Sequence, residues 1–291
     1  MQSRGVVFMV LSAFGFSIMS MLVKIASPRM PTGEIVLARA VMTLVISYVM
    51  VRQASLSPWG TMRGKLVVRG LLGFGALGFY YVALARLPLA DATTLHYMQP
   101  IVTSILAWWI LGERVGWAAA FALACGIGGV MLVVHPGVPL GDGADPVGVS
   151  IALASAVLSS TAYVTVRQLA KTEHPLVIVF YFPLVATPLA LPWALYDWVW
   201  PSAIDWLLLI GIGVSTQIGQ VFLTRALMIE RAGRAMSVGY IQICFAVIWQ
   251  LVIFGKEPAL GTLLGAALII GGTLAVSATA TPDAARPHTP T

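Results

Sequence analysis

The chain has 291 residues, 59% of them hydrophobic and 10% charged, with a net charge of +6 and a mean hydropathy of +0.91. A soluble protein carries about 25% charged residues, so too few charges remain here to cover a water-facing surface, and a soluble globular fold is excluded. The positive charge is explained by how it is distributed among the loops, and nucleic acid is not an expected partner.

A bilayer core takes roughly 20 apolar residues per helix, and the apolar runs predict ten spans. The first, 5–26, lacks a small-residue cleavage site and reads as a span rather than a signal peptide; Ser12, Phe16 and Ser20 share one of its faces and Lys24 closes it. The second, 33–51, holds Arg39 about two turns inside, where an unpaired charge costs ~3 kcal/mol near the bilayer centre and less toward the interface. Arg39 is expected to snorkel outward, to pair with Glu34 or Asp91, or to bind a ligand. The third, 67–86, carries Tyr81 and the packing glycines Gly73, Gly75 and Gly78. In the fourth, 89–111, Thr93, His96, Gln99 and Thr103 fall on one stripe, and Pro100 frees a backbone carbonyl near its middle. The fifth is 116–135. The sixth, 147–170, aligns Ser155, Ser159 and Tyr163 and ends at Arg167. The seventh is 175–195. The eighth, 204–228, aligns Gln217, Gln220 and Thr224; the ninth, 233–254, contains Gln242; the tenth is 259–279. Cys125 and Cys244 sit inside apolar runs and read as small packing residues.

The chain reads twice, at an offset of 143 residues. Tyr97, Gln99, Gly112, Gly128 and Gly129 recur as Tyr240, Gln242, Gly255, Gly271 and Gly272, and Lys24 is matched by Arg167. The expected fold is an all-α integral membrane protein of ten transmembrane helices, arranged as two inverted five-helix repeats, 1–136 and 147–279, followed by a disordered cytoplasmic tail, 280–291. Five is odd, so the second half enters the membrane upside down. Eleven basic residues fall on the side of the termini, Arg69 among them, against Lys24, Arg29, Arg86 and Lys256 opposite. By the positive-inside rule both termini are cytoplasmic.

The run LADATTLHYMQPIVTSILAWWILGERVGWAAAFALACGIGGV and its echo GRAMSVGYIQICFAVIWQLVIFGKEPALGTLLGAALIIGG resemble the drug/metabolite transporter superfamily, EamA type, through the mid-helix proline, the Gly112-Glu113 turn and the Gly-Gly pair that follows. Ile243 in place of a second proline and the shifted acid Lys256-Glu257 depart from that pattern. The resemblance implies export of amino acids, other metabolites or drugs, with YddG-like amino-acid exporters as similar proteins. The setting it suggests is a bacterial inner membrane.

Polar side chains in hydrocarbon are costly, and two roles remain open for each. They bond helix to helix, at around 0.6 kcal/mol on average, or they line a cavity. The candidate substrate-binding residues are His96, Gln99, Tyr81, Tyr163, Gln217, Gln220, Gln242 and Arg39, with Lys24 and Arg167 as candidate gate charges or interfacial cations. Tyr97 lies about 200° around an ideal helix from Gln99, as Tyr240 does from Gln242, and the glutamines are favoured as the cavity-facing members. No Asp or Glu lies near mid-span, which disfavours proton-driven export of organic cations. No phosphate loop, HExxH or GxSxG is present, so neither direct ATP use nor enzymatic chemistry is expected, and no cofactor or metal. The expected function is a secondary transporter or facilitator exporting small polar metabolites, amino acids first, by alternating access. The alternative is export of drugs or of nucleotide-sugar or lipid-linked metabolites.

Overall fold

A computed structural model describes residues 2–111, 117–134, 145–229 and 238–279. Among them are eleven α-helices: α1 (Gln2–Ala26), α2 (Thr32–Gln53), α3 (Arg63–Arg86), α4 (Leu89–His96), α5 (Gln99–Leu111), α6 (Trp117–Val134), α7 (Pro146–Leu169), α8 (Pro175–Tyr196), α9 (Ala203–Ile229), α10 (Ile241–Val252) and α11 (Leu260–Thr279). Helices α4 and α5 are the two pieces of the fourth span, so the order corresponds to ten spans. The predicted tail and the Gly112-Glu113 turn lie outside the described residues.

Local chemistry sets the ends. Asp145 caps α7 by accepting from the amide of Val147 at 3.1 Å, with Pro146 at the first helical position, where its missing N–H costs nothing. His174 accepts from the amide of Leu176 before Pro175 in the same way. Three prolines, Pro183, Pro188 and Pro192, stay inside α8. A spanning helix tolerates them where its surroundings satisfy the freed carbonyls; the Thr187 hydroxyl adds a local bond, donating to the Pro183 carbonyl at 2.7 Å.

The fourth span breaks at Tyr97–Met98. Pro100 has no N–H to give to the carbonyl of His96, which ends α4. The ninth span breaks at the matching place, Tyr240, although Ile243 stands where the proline would be. The break thus belongs to the repeated architecture, and the proline reinforces one copy of it.

The packing is two-fold. Helix α1 lies against α9 and its repeat mate α7 against α3; α2 packs on its own mate α8, and α6 on its mate α11. Large apolar side chains such as Leu195, Leu207 and Val252 point outward, 61–70% exposed, as a lipid-facing surface requires.

Loops on the face carrying the N-terminus are tied by Glu173. Its Oε1 accepts from the amide and hydroxyl of Thr61, both at 2.6 Å, and from the amide of Met62 at 2.5 Å. Gly60, at φ +58°, permits this turn, since a Cβ there would stand 2.9 Å from the carboxylate. Burial pushes the Glu173 carboxyl up, but these donors outweigh it and hold it below the usual carboxylate range. The stabilisation is complete above the ordinary carboxyl range near pH 4 and is lost as pH falls through the lower folded value. Glu173→Gln is expected to lower stability by about 1 kcal/mol at neutral pH. Its melting temperature should converge on that of the parent in acid, and equal melting temperatures at pH 7 would refute the tie.

Candidate functional site

Between the halves lies a cavity with about 830 Å³ of empty space, counting its open mouth. Its walls come from α1, α2, α3, α4, α5, α7, α8, α9 and α10. Of the candidate residues, it gathers Arg39, His96, Gln99, Tyr163, Gln220 and Gln242. The three candidate amides Gln99, Gln220 and Gln242 thus meet at one place in the fold.

His96 is oriented by a chain of bonds. Ser155 Oγ lies 2.8 Å from the carbonyl of Ala152 and 2.7 Å from His96 Nδ1. When the hydroxyl proton goes to Ala152, Nδ1 is the donor and Nε2 the acceptor of the neutral ring; when it goes to Nδ1, the two nitrogens exchange roles. Tyr80 stacks on the imidazole at 4.2 Å and meets Ser20 and Thr93 through its hydroxyl.

Gln99 is 4% exposed, and its Oε1 has no hydrogen-bond partner among the described residues. Gln242 accepts from the Tyr97 hydroxyl at 2.6 Å, and the Tyr240 hydroxyl donates to the Tyr97 carbonyl at 3.3 Å. The repeat mates Tyr97 and Tyr240 meet with ring centroids 5.5 Å apart. The expectation that Tyr97 turns away from a cavity lined by Gln99 is corrected: Tyr97 also lines it. The break at Tyr97–Met98 resets the helical phase, so counting 100° per residue across it fails.

Other candidates lie elsewhere. Tyr81 is fully buried one layer behind, its ring 5.5 Å from the Arg39 guanidinium carbon, and Tyr80 is the residue of that pair in the lining. Gln217 donates to Ser47 at 2.9 Å and joins α9 to α2, the helix-bonding role. Lys24 donates to the carbonyls of Leu84 at 2.7 Å and Leu87 at 2.6 Å, so it closes the C-terminal end of α3 rather than of its own helix. Arg167 lies half-buried in the last turn of α7, outside the lining. Arg39 pairs with neither carboxylate proposed for it: Glu34 accepts from the amide of Val199 and Asp91 from the Thr262 hydroxyl.

Arg69 is the cavity residue that the sequence does not mark: the charge count places it only among the basic residues on the side of the termini, but α3 starts at Arg63, four residues before the predicted span, which carries Arg69 inward to 4% exposure and into the lining. The Arg39 and Arg69 guanidinium carbons lie 5.4 and 4.8 Å from the centroid of the same ring, Phe182. Gly73 makes the room: a Cβ there would stand 2.8 Å from Arg69 Nη1 and 2.7 Å from the ring. The i, i+4 spacing of Arg69 and Gly73 was the available signal.

The lining occupies the centre of the bundle and the half toward the face carrying the N-terminus. Past Met19, Leu77 and Tyr80, the far face is tied by ion pairs of Arg29 with Asp205 and Arg86 with Asp145, both at 2.5 Å, and by the Lys24 bonds.

The sequence profile of the EamA-like transporter family matches residues 3–135 and again 146–278. The two matches stand at the same offset as the internal repeat. The chain belongs to the EamA-like transporter family. It is 37% identical over 276 residues to the pseudopaline exporter CntI of Pseudomonas aeruginosa, covering 94% of this chain and 96% of that one. It is 32% identical to human solute carrier family 35 member G1, over 93% of this chain and 78% of that one. It is 26% identical to the S-adenosylmethionine uptake transporter of Rickettsia prowazekii, over 93% and 91%. A crystal structure of a protein with 21% identity aligns with a TM-score of 0.67, covering 93% of this chain and 97% of that one, which speaks for the fold alone. This EamA-like protein is thus an integral membrane transporter of the drug/metabolite superfamily, related to proteins named as transporters and not as enzymes.

Proposed function

We propose that this EamA-like transporter exports small polar metabolites, amino acids or molecules built like them, by alternating access around the cavity between its halves, as a secondary transporter or facilitator. The observation that carries the reading is the convergence of Gln99, Gln220, Gln242, Tyr163 and His96 on one central cavity. Amides and hydroxyls can serve both an ammonium and a carboxylate, and Gln99 Oε1 is held there unpaired.

The far-face ties fit a conformation closed on that side, with Lys24 as the strongest candidate for a gate charge and Arg167 as its repeat counterpart. The loop charges favour termini in the cytoplasm, so the open side is the cytoplasmic one, as an exporter awaiting substrate requires. His96 is the proton-carrying candidate of the lining. A bacterial inner membrane is the setting proposed.

The test is efflux of radiolabelled metabolites from proteoliposomes, with and without an imposed pH gradient. Substrate-dependent flux of an amino-acid-like compound is expected, and its acceleration by the gradient would assign proton coupling. Flux of bulky apolar drugs alone would overturn the substrate class. No flux of any of these metabolites in either direction would overturn the transport reading.

A further inference from the structure

The cavity contains something its amides do not explain. Two arginines from different helices, Arg39 on α2 and Arg69 on α3, reach the same aromatic ring deep inside a membrane protein. They are 3% and 4% exposed. Nε and Nη1 of each have no hydrogen-bond partner, and no carboxylate lies within ion-pair distance of either among the described residues. Asp91 and Glu34, the acids nearest in sequence to a pairing role, are engaged elsewhere.

Buried cations are normally paired. The face of Phe182 attracts both guanidiniums and that of Tyr81 the one on Arg39; the Tyr81 hydroxyl is a single neutral acceptor beside Arg39 and supplies no negative charge. Two positive charges at one ring also repel each other. A cluster with this much unmet donor capacity, built into the wall of a substrate cavity, is matched by a ligand that brings the acceptors and negative charge itself. Guanidinium groups bind carboxylates in a bidentate way. Each fork can take a carboxylate of its own, so one carbon skeleton carrying two carboxylates answers both charges, whereas a single carboxylate leaves one of them uncompensated.

We propose that Arg39 and Arg69 form an anion subsite, and that the transported metabolite carries at least two carboxylate groups. This rests on the transport reading above and narrows its substrate class. The amides of Gln99 and Gln242 and the ring of His96 then face the rest of the molecule, where an amine or hydroxyl of an amino-acid-like substrate finds acceptors.

The test separates binding from flux. Purified protein in detergent is titrated by calorimetry with glutarate, citrate, glutamate, glutamine and glycerol phosphate at neutral pH. Glutarate and citrate are expected to bind at least tenfold more tightly than glutamine, with glutamate between them, and binding should weaken with salt. Arg39→Met and Arg69→Met each replace a buried cation with an apolar chain of similar reach. Both are expected to fold, with melting temperatures equal to or above that of the parent, and to lose dicarboxylate affinity at least tenfold. If a Met variant fails to fold, Arg39→Lys and Arg69→Lys keep the charge but lose the fork, and should weaken the same binding severalfold.

Glutamine binding as tightly as glutarate would overturn the subsite, as would unchanged affinity in the variants. No anion binding at millimolar concentration would overturn it too. Tight glycerol phosphate binding without dicarboxylate binding would overturn the carboxylate assignment. Dicarboxylate binding that depends on both arginines but is never accompanied by flux would leave the subsite standing and defeat the transport reading. Zwitterion flux untouched by the Met substitutions would do the reverse.

Discussion

Gln99→Ala is expected to lower substrate flux by about tenfold or more, while Gln217→Ala leaves it within about twofold of the parent. Both residues are buried glutamines in spans, and their surroundings decide the difference. Gln99 Oε1 lies at the cavity wall without a partner. Truncating its side chain gives up one internal contact, with the Tyr163 hydroxyl, while the bond from the Ser160 hydroxyl goes to the Gln99 backbone carbonyl and survives. What transport loses is a hydrogen bond to a charged substrate, about 1.5–3 kcal/mol, or one to two decades in rate. Gln217 spends its amide on Ser47, so its loss costs around 0.6 kcal/mol of helix–helix bonding and touches no substrate. Initial efflux rates from proteoliposomes at matched protein content read this directly. His96→Ala is a poorer probe, since it also empties the stack on Tyr80 and the bond to Ser155. Equal rates for Gln99→Ala and the parent would remove the fourth span from the site.

The spans were legible because each is an apolar run ended by Pro, Gly or charge, and the repeat was legible because its Tyr, Gln and Gly matches survive in apolar sequence. Most helix ends fall within three residues of the expected ones. Of the candidates on continuous helices, Tyr163 on α7 and Gln220 on α9 reach the cavity wall, whereas Gln217 on the same α9 does not. Legibility failed where the helix broke: past Tyr97 the periodicity restarts, and the face assigned to Gln99 no longer excludes Tyr97. It failed again at Arg69, because hydropathy averages a lone arginine into the edge of a span, whereas the fold uses the gap at Gly73 to draw that side chain inward. Tyr81 and Tyr80 show the same limit. Adjacent residues differ by about 100° of rotation, and Thr224, which the 143-residue offset pairs with Tyr81, could not say which tyrosine the cavity would take.

Gly15→Leu is expected to abolish the folded monodisperse protein, with Gly75→Ala and Gly271→Ala as tolerated controls. At Gly15 a Cβ would stand 3.0 Å from both the Gly219 nitrogen and the Ser215 carbonyl oxygen. These are backbone atoms of α9 and cannot swing aside. Ser12 on the same helix donates to the Gly219 carbonyl at 2.9 Å, which fixes α1 against α9 at the separation a glycine allows. Overpacking there costs about 1–3 kcal/mol or more, and the displaced helix also loses the Ser12 bond. Gly75 would meet only the terminal Leu158 Cδ1 at 3.2 Å, and Gly271 has nothing within 4 Å, so alanine at either site should change the melting temperature little. The α3–α7 crossing, which is the repeat counterpart of α1–α9, thus meets through a side chain where its mate meets through backbone. The tighter pair is suited to move as one body, and the looser pair to slide. Size-exclusion profiles and melting temperatures in detergent check the first part. A folded Gly15→Leu protein with parental stability would show that the α1–α9 contact is not the rigid joint of the bundle.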